Sequence, residues 1–291
     1  MELRALRYFL AVAQEENITR AAENLHVTQP TLSRQIMDLE EELGRQLIIR
    51  GKRRVTLTQD GLFLRKRAAE VLALADKTAA EMRESESEIS GDVYIGAGET
   101  DAIRQLAVIC KELKETHPGI RYRIFTGDGD AVQERLEKGL IDLGLVFGPV
   151  DQAKYNFITL PYRATWGILV PADCELASKS SVTPHDLWDK PLLLSQQALD
   201  AGFLQAWLGR ELSELNVYAT YTTMLNAVKL AEGGFGYAMV IDGLFHVDGT
   251  PLCFRPCVPT LEAGMSVIWK KYQMFSPATS VVLRAVIDRF S

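Results

Sequence analysis

The chain has 291 residues, 47% of them hydrophobic and 24% charged, with a formal net charge of −6. That length suits a small domain joined to one of about 200 residues. No stretch approaches the roughly 18 apolar residues needed to span a bilayer, which excludes a membrane partner at this stage. Met1 to Ala13 reads as an amphipathic helix carrying Glu2, Arg4 and Arg7 and lacks the uninterrupted apolar core of a secretion signal, so a cytoplasmic location is expected.

Ile18, Ala21, Ala22 and Leu25 share one face of a second helix, and Leu32, Ile36, Leu39 and Leu43 share one face of a third. The two meet at His26-Val27-Thr28. Asn17 or Thr19 can cap the first of the pair; Thr28 can cap the second, with Pro30 in the first turn where a missing N–H costs little. Once the apolar stripe packs inward, the outer face of the second helix offers Gln29, Thr31, Ser33, Arg34 and Gln35, groups suited to base edges and phosphates. Periodicity alone equally describes an ordinary helical hairpin. The next segment favours a DNA reader: Arg50-Gly51-Lys52-Arg53-Arg54 is a basic turn leading into the strand-like Val55-Thr56-Leu57-Thr58, the order of a winged helix-turn-helix. Thr28, Gln29, Pro30, Thr31, Ser33, Arg34 and Gln35 are therefore candidate contacts at the reading helix, and Arg50, Lys52, Arg53 and Arg54 at the wing.

Residues 1–90 hold 14 Lys and Arg against 15 Asp and Glu, so phosphate neutralisation must come from these oriented clusters and from doubling them in a dimer. From Leu62 to about Ser87 there is no Pro and no Gly, which predicts one long helix. Ala68, Leu72, Ala75, Ala79, Met82, Glu86 and Ile89 follow alternating steps of four and three, the seam of a paired helix broken only by Glu86. Ser85 to Gly91 supplies a polar boundary.

Beyond Asp92 strands and helices alternate: strand Val93–Ala97, helix Ala102–Thr116, strand Arg121–Phe125, helix Ala131–Lys138, strand Leu143–Phe147. This order predicts an α/β domain with a parallel sheet. Further strands are expected near 166–170, 192–195, 217–221, 237–241 and 265–270, and helices near 202–211, 223–232 and 277–290. Gly96-Ala97-Gly98-Glu99-Thr100-Asp101 has Asp where a dinucleotide fingerprint needs its third Gly, and Gly127-Asp128-Gly129 runs on to Val132. No catalytic motif is visible, so no enzyme is expected. Cys110, Cys174, Cys253 and Cys257, with His26, His117, His185 and His246, form no recognisable ligand spacing; neither a metal nor a cofactor is expected.

The segment from Leu3 to about Leu72 resembles the N-terminal domain of the LysR-type transcriptional regulators. The residues that carry it are Leu6-Arg7-Tyr8-Phe9, Ala21-Ala22, Thr28-Gln29-Pro30-Thr31-Leu32-Ser33, Ile36, Leu39-Glu40, Leu43-Gly44, Leu47, Arg50 and Leu57-Thr58-Gln59-Asp60-Gly61. Ile48-Ile49 departs from the family's usual aromatic and polar pair. The resemblance extends to the whole chain and implies three parts: a winged helix-turn-helix (1–58), a linker and dimerisation helix (59–90), and an effector-binding domain (91–291) similar to type 2 periplasmic binding proteins. Lobe one of that domain would comprise 91–160 and 267–291 and lobe two 161–266, with crossings near Leu160–Arg163 and Ala263–Ser266.

By position in that fold, lobe one would present Glu99, Thr100 and Asp101, then Thr126 and Gly127, then Val146, Phe147 and Gly148 to the effector. Lobe two would present Ser195, Gln196 and Gln197, then Thr222 and Thr223. Thr100 and Ser195 suit a carboxylate at a helix N-terminus, whereas Glu99 and Asp101, if they point inward, favour a cationic, amine-bearing or polyhydroxylated molecule. The implied partners are double-stranded DNA, a small-molecule effector and a second copy of the chain, as a dimer or a tetramer, with RNA polymerase admitted as a further partner. A small-molecule-binding protein or an α/β enzyme using the same cleft is the alternative.

Overall fold

Leu6, Phe9 and Val12 recur at three-residue steps along helix α1 (Leu3–Glu15), and that stripe is fully buried at the centre of the first unit's core. The computed structural model describes residues 1–51, 54–83 and 89–291, and the chain divides into two units, Met1–Arg83 and Glu84–Ser291. In the first, α2 (Ile18–Asn24) and α3 (Gln29–Leu43) pack Ala21, Ala22, Leu32, Ile36 and Leu39 onto α1. His26 takes a left-handed φ of 54° in the turn between them. Strands β1 (Ile48–Arg50) and β2 (Val55–Leu57) pair antiparallel, with Ile48 opposite Leu57. The Gly51 N–H donates to the Arg54 carbonyl across the turn, 3.0 Å; Lys52 and Arg53 lie outside the described residues. Glu40 ties the wing to α3, since its Oε1 accepts the Leu47 and Ile48 N–H groups at 2.7 and 3.0 Å. Ile48 is buried and Ile49 exposed, so only the first of the two departing residues enters the core.

Helix α4 (Gln59–Glu81) starts abruptly, with the Thr58 hydroxyl accepting the Gly61 N–H at 2.9 Å. The Thr58 N–H and hydroxyl in turn donate to the backbone of Gln46 and Leu47. A Cβ on Gly61 would sit 2.1 Å from the Leu47 carbonyl oxygen, so no side chain fits where helix and wing meet. Gly61→Ala is expected to cost about 1–3 kcal/mol, read from urea unfolding of the full chain.

Two sequence expectations for α4 change. The helix ends at Glu81, with Met82 as its cap, and 84–88 lie outside the described residues. The predicted seam also turns inward at its start. Ala68 and Leu72 belong to the core of their own unit, and Ile89 packs against the core of the second. The exposed apolar stripe runs instead through Phe63, Val71, Leu74 and Met82, which are 65%, 43%, 42% and 82% exposed. Ala-rich steps of three and four fit either face, and α1 takes the one with smaller side chains.

In the second unit, β3 (Gly91–Ala97), β4 (Ile120–Thr126) and β5 (Leu143–Phe147) form a parallel sheet, with α5 (Ile103–Thr116) and α6 (Gly129–Glu137) as crossovers. Strand β6 (Tyr155–Pro171) has 17 residues where the sequence suggested five. Pro161, which has no N–H to donate, falls at the register shift opposite Gly264 to Ser266, where the ladder is interrupted. β6 pairs with β11 (Glu262–Lys270) in lobe one and continues into lobe two, beside β9 (Tyr237–Ile241) and β10 (Leu252–Pro256), the latter not foreseen. The sheet order is β4-β3-β5-β11-β6-β9-β7-β8, where β7 is Leu192–Ser195 and β8 is Val217–Tyr221. In place of one helix near 202–211 stand α7 (Gln196–Asp200) and α8 (Phe203–Leu208), separated by Gly202 at a φ of 76°. Helices α9 (Met224–Glu232) and α10 (Pro277–Phe290) complete the unit. Among the described residues no helix is long and apolar enough to cross a membrane.

Candidate functional site

The first candidate site is the outer face of α3. Thr28 is consumed as its cap, accepting the Thr31 N–H at 3.4 Å and sharing a hydrogen bond with the Thr31 hydroxyl at 2.8 Å. With Leu32, Ile36 and Leu39 inward, Gln29, Pro30, Thr31 and Arg34 stand in solvent, while Ser33 and Gln35 are half-buried. Arg50 is exposed, and its Nη1 donates to the Ser33 hydroxyl at 2.7 Å, which couples the wing to the helix. The Arg54 guanidinium lies 3.7 Å from the Glu16 carboxylate at the end of α1. Such an exposed pair is worth little and yields readily to a phosphate. The arrangement therefore holds a helix with forked and short polar groups toward solvent and an arginine on either side of the wing turn.

The second candidate site is a cavity between the lobes of the second unit, about 30 Å³ in this conformation. Glu99, Phe147, Ser195, Gln197 and Thr222 line it, as the sequence suggested. Phe147 and Gln197 also line an adjoining outer pocket of about 240 Å³. Thr100, Asp101, Thr126, Gly127, Val146, Gly148, Gln196 and Thr223 line neither. Local bonds account for several of them. The Thr100 hydroxyl accepts the Ala102 N–H and lies 3.0 Å from the Met265 sulfur, Asp101 pairs with Arg104, and Gln196 Nε2 donates to Asp200.

Sequence reasoning missed the cavity's apolar wall, formed by Trp166, Phe203, Tyr221, Met224, Ile241 and Leu244. Trp166 and Ile241 sit within strands and read as core; the available signal was Tyr221, which ends β8 immediately before Thr222. Trp166 and Phe203 meet edge to face, centroids 5.7 Å apart. Burial, reinforced by nearby Glu99, pushes the Tyr221 phenol up, so it stays protonated and donates to the Met239 carbonyl. The Glu99 carboxylate reaches across the lobes to accept the Met224 N–H at the start of α9.

The cysteines take no part. All four are free, and burial pushes the Cys257 thiol up to about 12, which leaves it protonated and inert at neutral pH. Among the described residues no group of three or more His, Cys, Asp or Glu is placed to hold a metal ion.

Residues 3–62 match the family model for the bacterial regulatory helix-turn-helix protein, lysR family, and residues 86–291 match the LysR substrate binding domain. The chain is 30% identical over 298 residues to the Hca operon transcriptional activator HcaR of Escherichia coli, covering 100% of this chain and 99% of that protein. Its fold is similar to that of CbnR, a LysR family transcriptional regulator, with a TM-score of 0.78 and 21% identity over 100% of both chains. CbnR bound to its target DNA gives 0.76 at 22% identity, again over 100% of both. The chain therefore belongs to the LysR family of transcriptional regulators, in which a DNA-binding helix-turn-helix is joined to a substrate-binding effector domain.

Proposed function

We propose that α3 enters the major groove with Gln29, Thr31 and Arg34 at base edges, while Thr28, Pro30, Ser33 and Gln35 shape its approach. The wing, Arg50 to Arg54, lies along the phosphates. The observation that carries this reading is the exposed polar face of α3, opened by a capped and proline-braced first turn. Two copies pair through Phe63, Val71, Leu74 and Met82 of α4, a stripe their own unit leaves uncovered. Regulators of this family bind DNA and self-associate; for this chain, modest local charge makes the paired state the one that binds.

In the same reading, a small molecule enters the cavity between the lobes. A molecule that prefers one arrangement of the lobes shifts the population of regulator states and so the spacing or bend imposed on DNA. RNA polymerase is the further partner through which such a change would reach transcription. Membership in a family of regulators sets aside the enzyme alternative.

Enrichment of random duplexes on the full-length protein, repeated at several salt concentrations, tests the DNA reading. It is expected to yield a dyad-symmetric motif whose half-sites lie about one helical turn, or a multiple of it, apart. Recovery of no preferred sequence at any salt would overturn it.

A further inference from the structure

Resting on the proposed role of the interlobe cavity, we infer that the molecule it takes is an organic cation: an amine with an aromatic or branched aliphatic body.

At each helix start beside these pockets one N–H that would attract an anion is already engaged. Helix N-termini normally favour carboxylates and phosphates because their first N–H groups are free. Around this cavity the Ser195 hydroxyl accepts the Ala198 N–H at 3.4 Å, and Asp128 accepts the Ala131 N–H at 2.8 Å. Glu99 itself accepts the Met224 N–H across the lobes. Two of those built-in acceptors, Asp128 and Glu99, are themselves carboxylates and would repel an incoming one.

Charge points the same way. Neither the cavity nor the adjoining outer pocket is lined by a Lys, Arg or His, whereas Glu99 lines the cavity and Asp128, Asp130 and Asp200 line the outer pocket at its mouth. None of these four carboxylates forms an ion pair among the described residues. Glu99 uses only Oε2 toward Met224, which leaves Oε1 for a ligand. Carboxylates gathered in a cleft with low-dielectric walls focus a negative potential that draws cations and repels anions.

The walls supply the rest of the ligand's outline. Trp166, Phe203, Phe147 and Tyr221 offer aromatic surface for a cation and its apolar body. Trp166, only 4% exposed, also has an indole N–H without an acceptor among the described residues. A buried donor of this kind calls for a partner, and a hydroxyl or carbonyl on the ligand would satisfy it.

The test uses the full-length protein and charge-matched probes: 2-phenylethylamine and 3-methylbutylamine, each beside the carboxylate and the alcohol of the same carbon skeleton. Thermal unfolding and titration calorimetry are expected to show an amine raising Tm by about 4–8 °C at 100 times its Kd, with no shift from the matching carboxylate. Glu99→Gln keeps an acceptor for the Met224 N–H while removing the charge, and should weaken the amine about tenfold or more. Glu99→Lys should reverse the preference toward the carboxylate. Thr222→Trp, which fills the cavity from an exposed position, should abolish the amine's effect.

A carboxylate that binds the parent protein and is lost in Thr222→Trp overturns the cation and leaves the cavity's role standing. Binding that survives Thr222→Trp overturns both. If no amine shifts Tm or releases heat, the cation is likewise overturned.

Discussion

The double variant Val71→Asp with Leu74→Asp is expected to sediment as a folded monomer and to bind its selected DNA site about 100- to 10,000-fold more weakly than the parent. Both side chains are nearly half exposed on α4 and contribute nothing to the core of their own unit, so the charges leave the fold intact. In a dimer two pairs of like charges would face each other across an apolar seam. The DNA loss follows from valency: with the second head untethered, it no longer benefits from the high effective concentration that the first supplies. Sedimentation velocity with fluorescence anisotropy on the selected duplex reads both effects. The control is Ala68→Asp, which strikes the face the sequence pattern favoured. Ala68 lies in the unit's core, so that variant should unfold the head, a different outcome from a folded monomer. A Val71 and Leu74 double variant that stays dimeric would rule out this stripe.

Arg34→Ala is expected to lower affinity for the selected site about 5- to 150-fold, the range for loss of one bidentate base contact, with little change on random DNA. Arg34 is exposed on the second turn of α3, beyond the cap and the proline, and among the described residues makes no hydrogen bond or ion pair that would hold it back. Arg54→Ala should behave differently. Its present partner is an exposed carboxylate 3.7 Å away, so its worth on DNA is that of a phosphate contact: similar losses on all sequences, and a salt slope flatter by about one unit. Equal losses on selected and random DNA for Arg34→Ala would refute its place at a base edge.

How far the sequence could be read depended on whether a residue's neighbours in space were also its neighbours in the chain. Caps, turns and apolar stripes are local, so Thr28, Pro30, the wing turn and most strands of the second unit are legible from spacing alone. The α4 seam is not. Ala68 and Leu72 fit a heptad as well as they fit α1, and only packing shows that α1 takes them and leaves Phe63, Val71, Leu74 and Met82 outside. In the cavity, residues at strand ends could be placed by topology. The apolar wall could not, because Trp166 lies in a strand whose apolar residues read simply as core, and Phe203 in a helix shorter than its periodicity suggested. Thr100 shows the converse: the right kind of residue at the right strand end, with its hydroxyl already committed to Ala102 and Met265.

The junction at Leu47 bears on how a signal would reach DNA. Its carbonyl receives the Thr58 N–H, its own N–H is held by Glu40 of α3, and Gly61 lets α4 press directly against it. Reading helix, wing and α4 thus share one tight joint with no slack, so the head and its 23-residue helix move as a single lever. Such a helix is about 35 Å long, so a tilt of about 10° at its far end carries the head about 6 Å, nearly two base-pair steps. On that arithmetic a small change in the tilt of α4 is read on DNA as a change in the separation of the two half-sites a pair of heads can span.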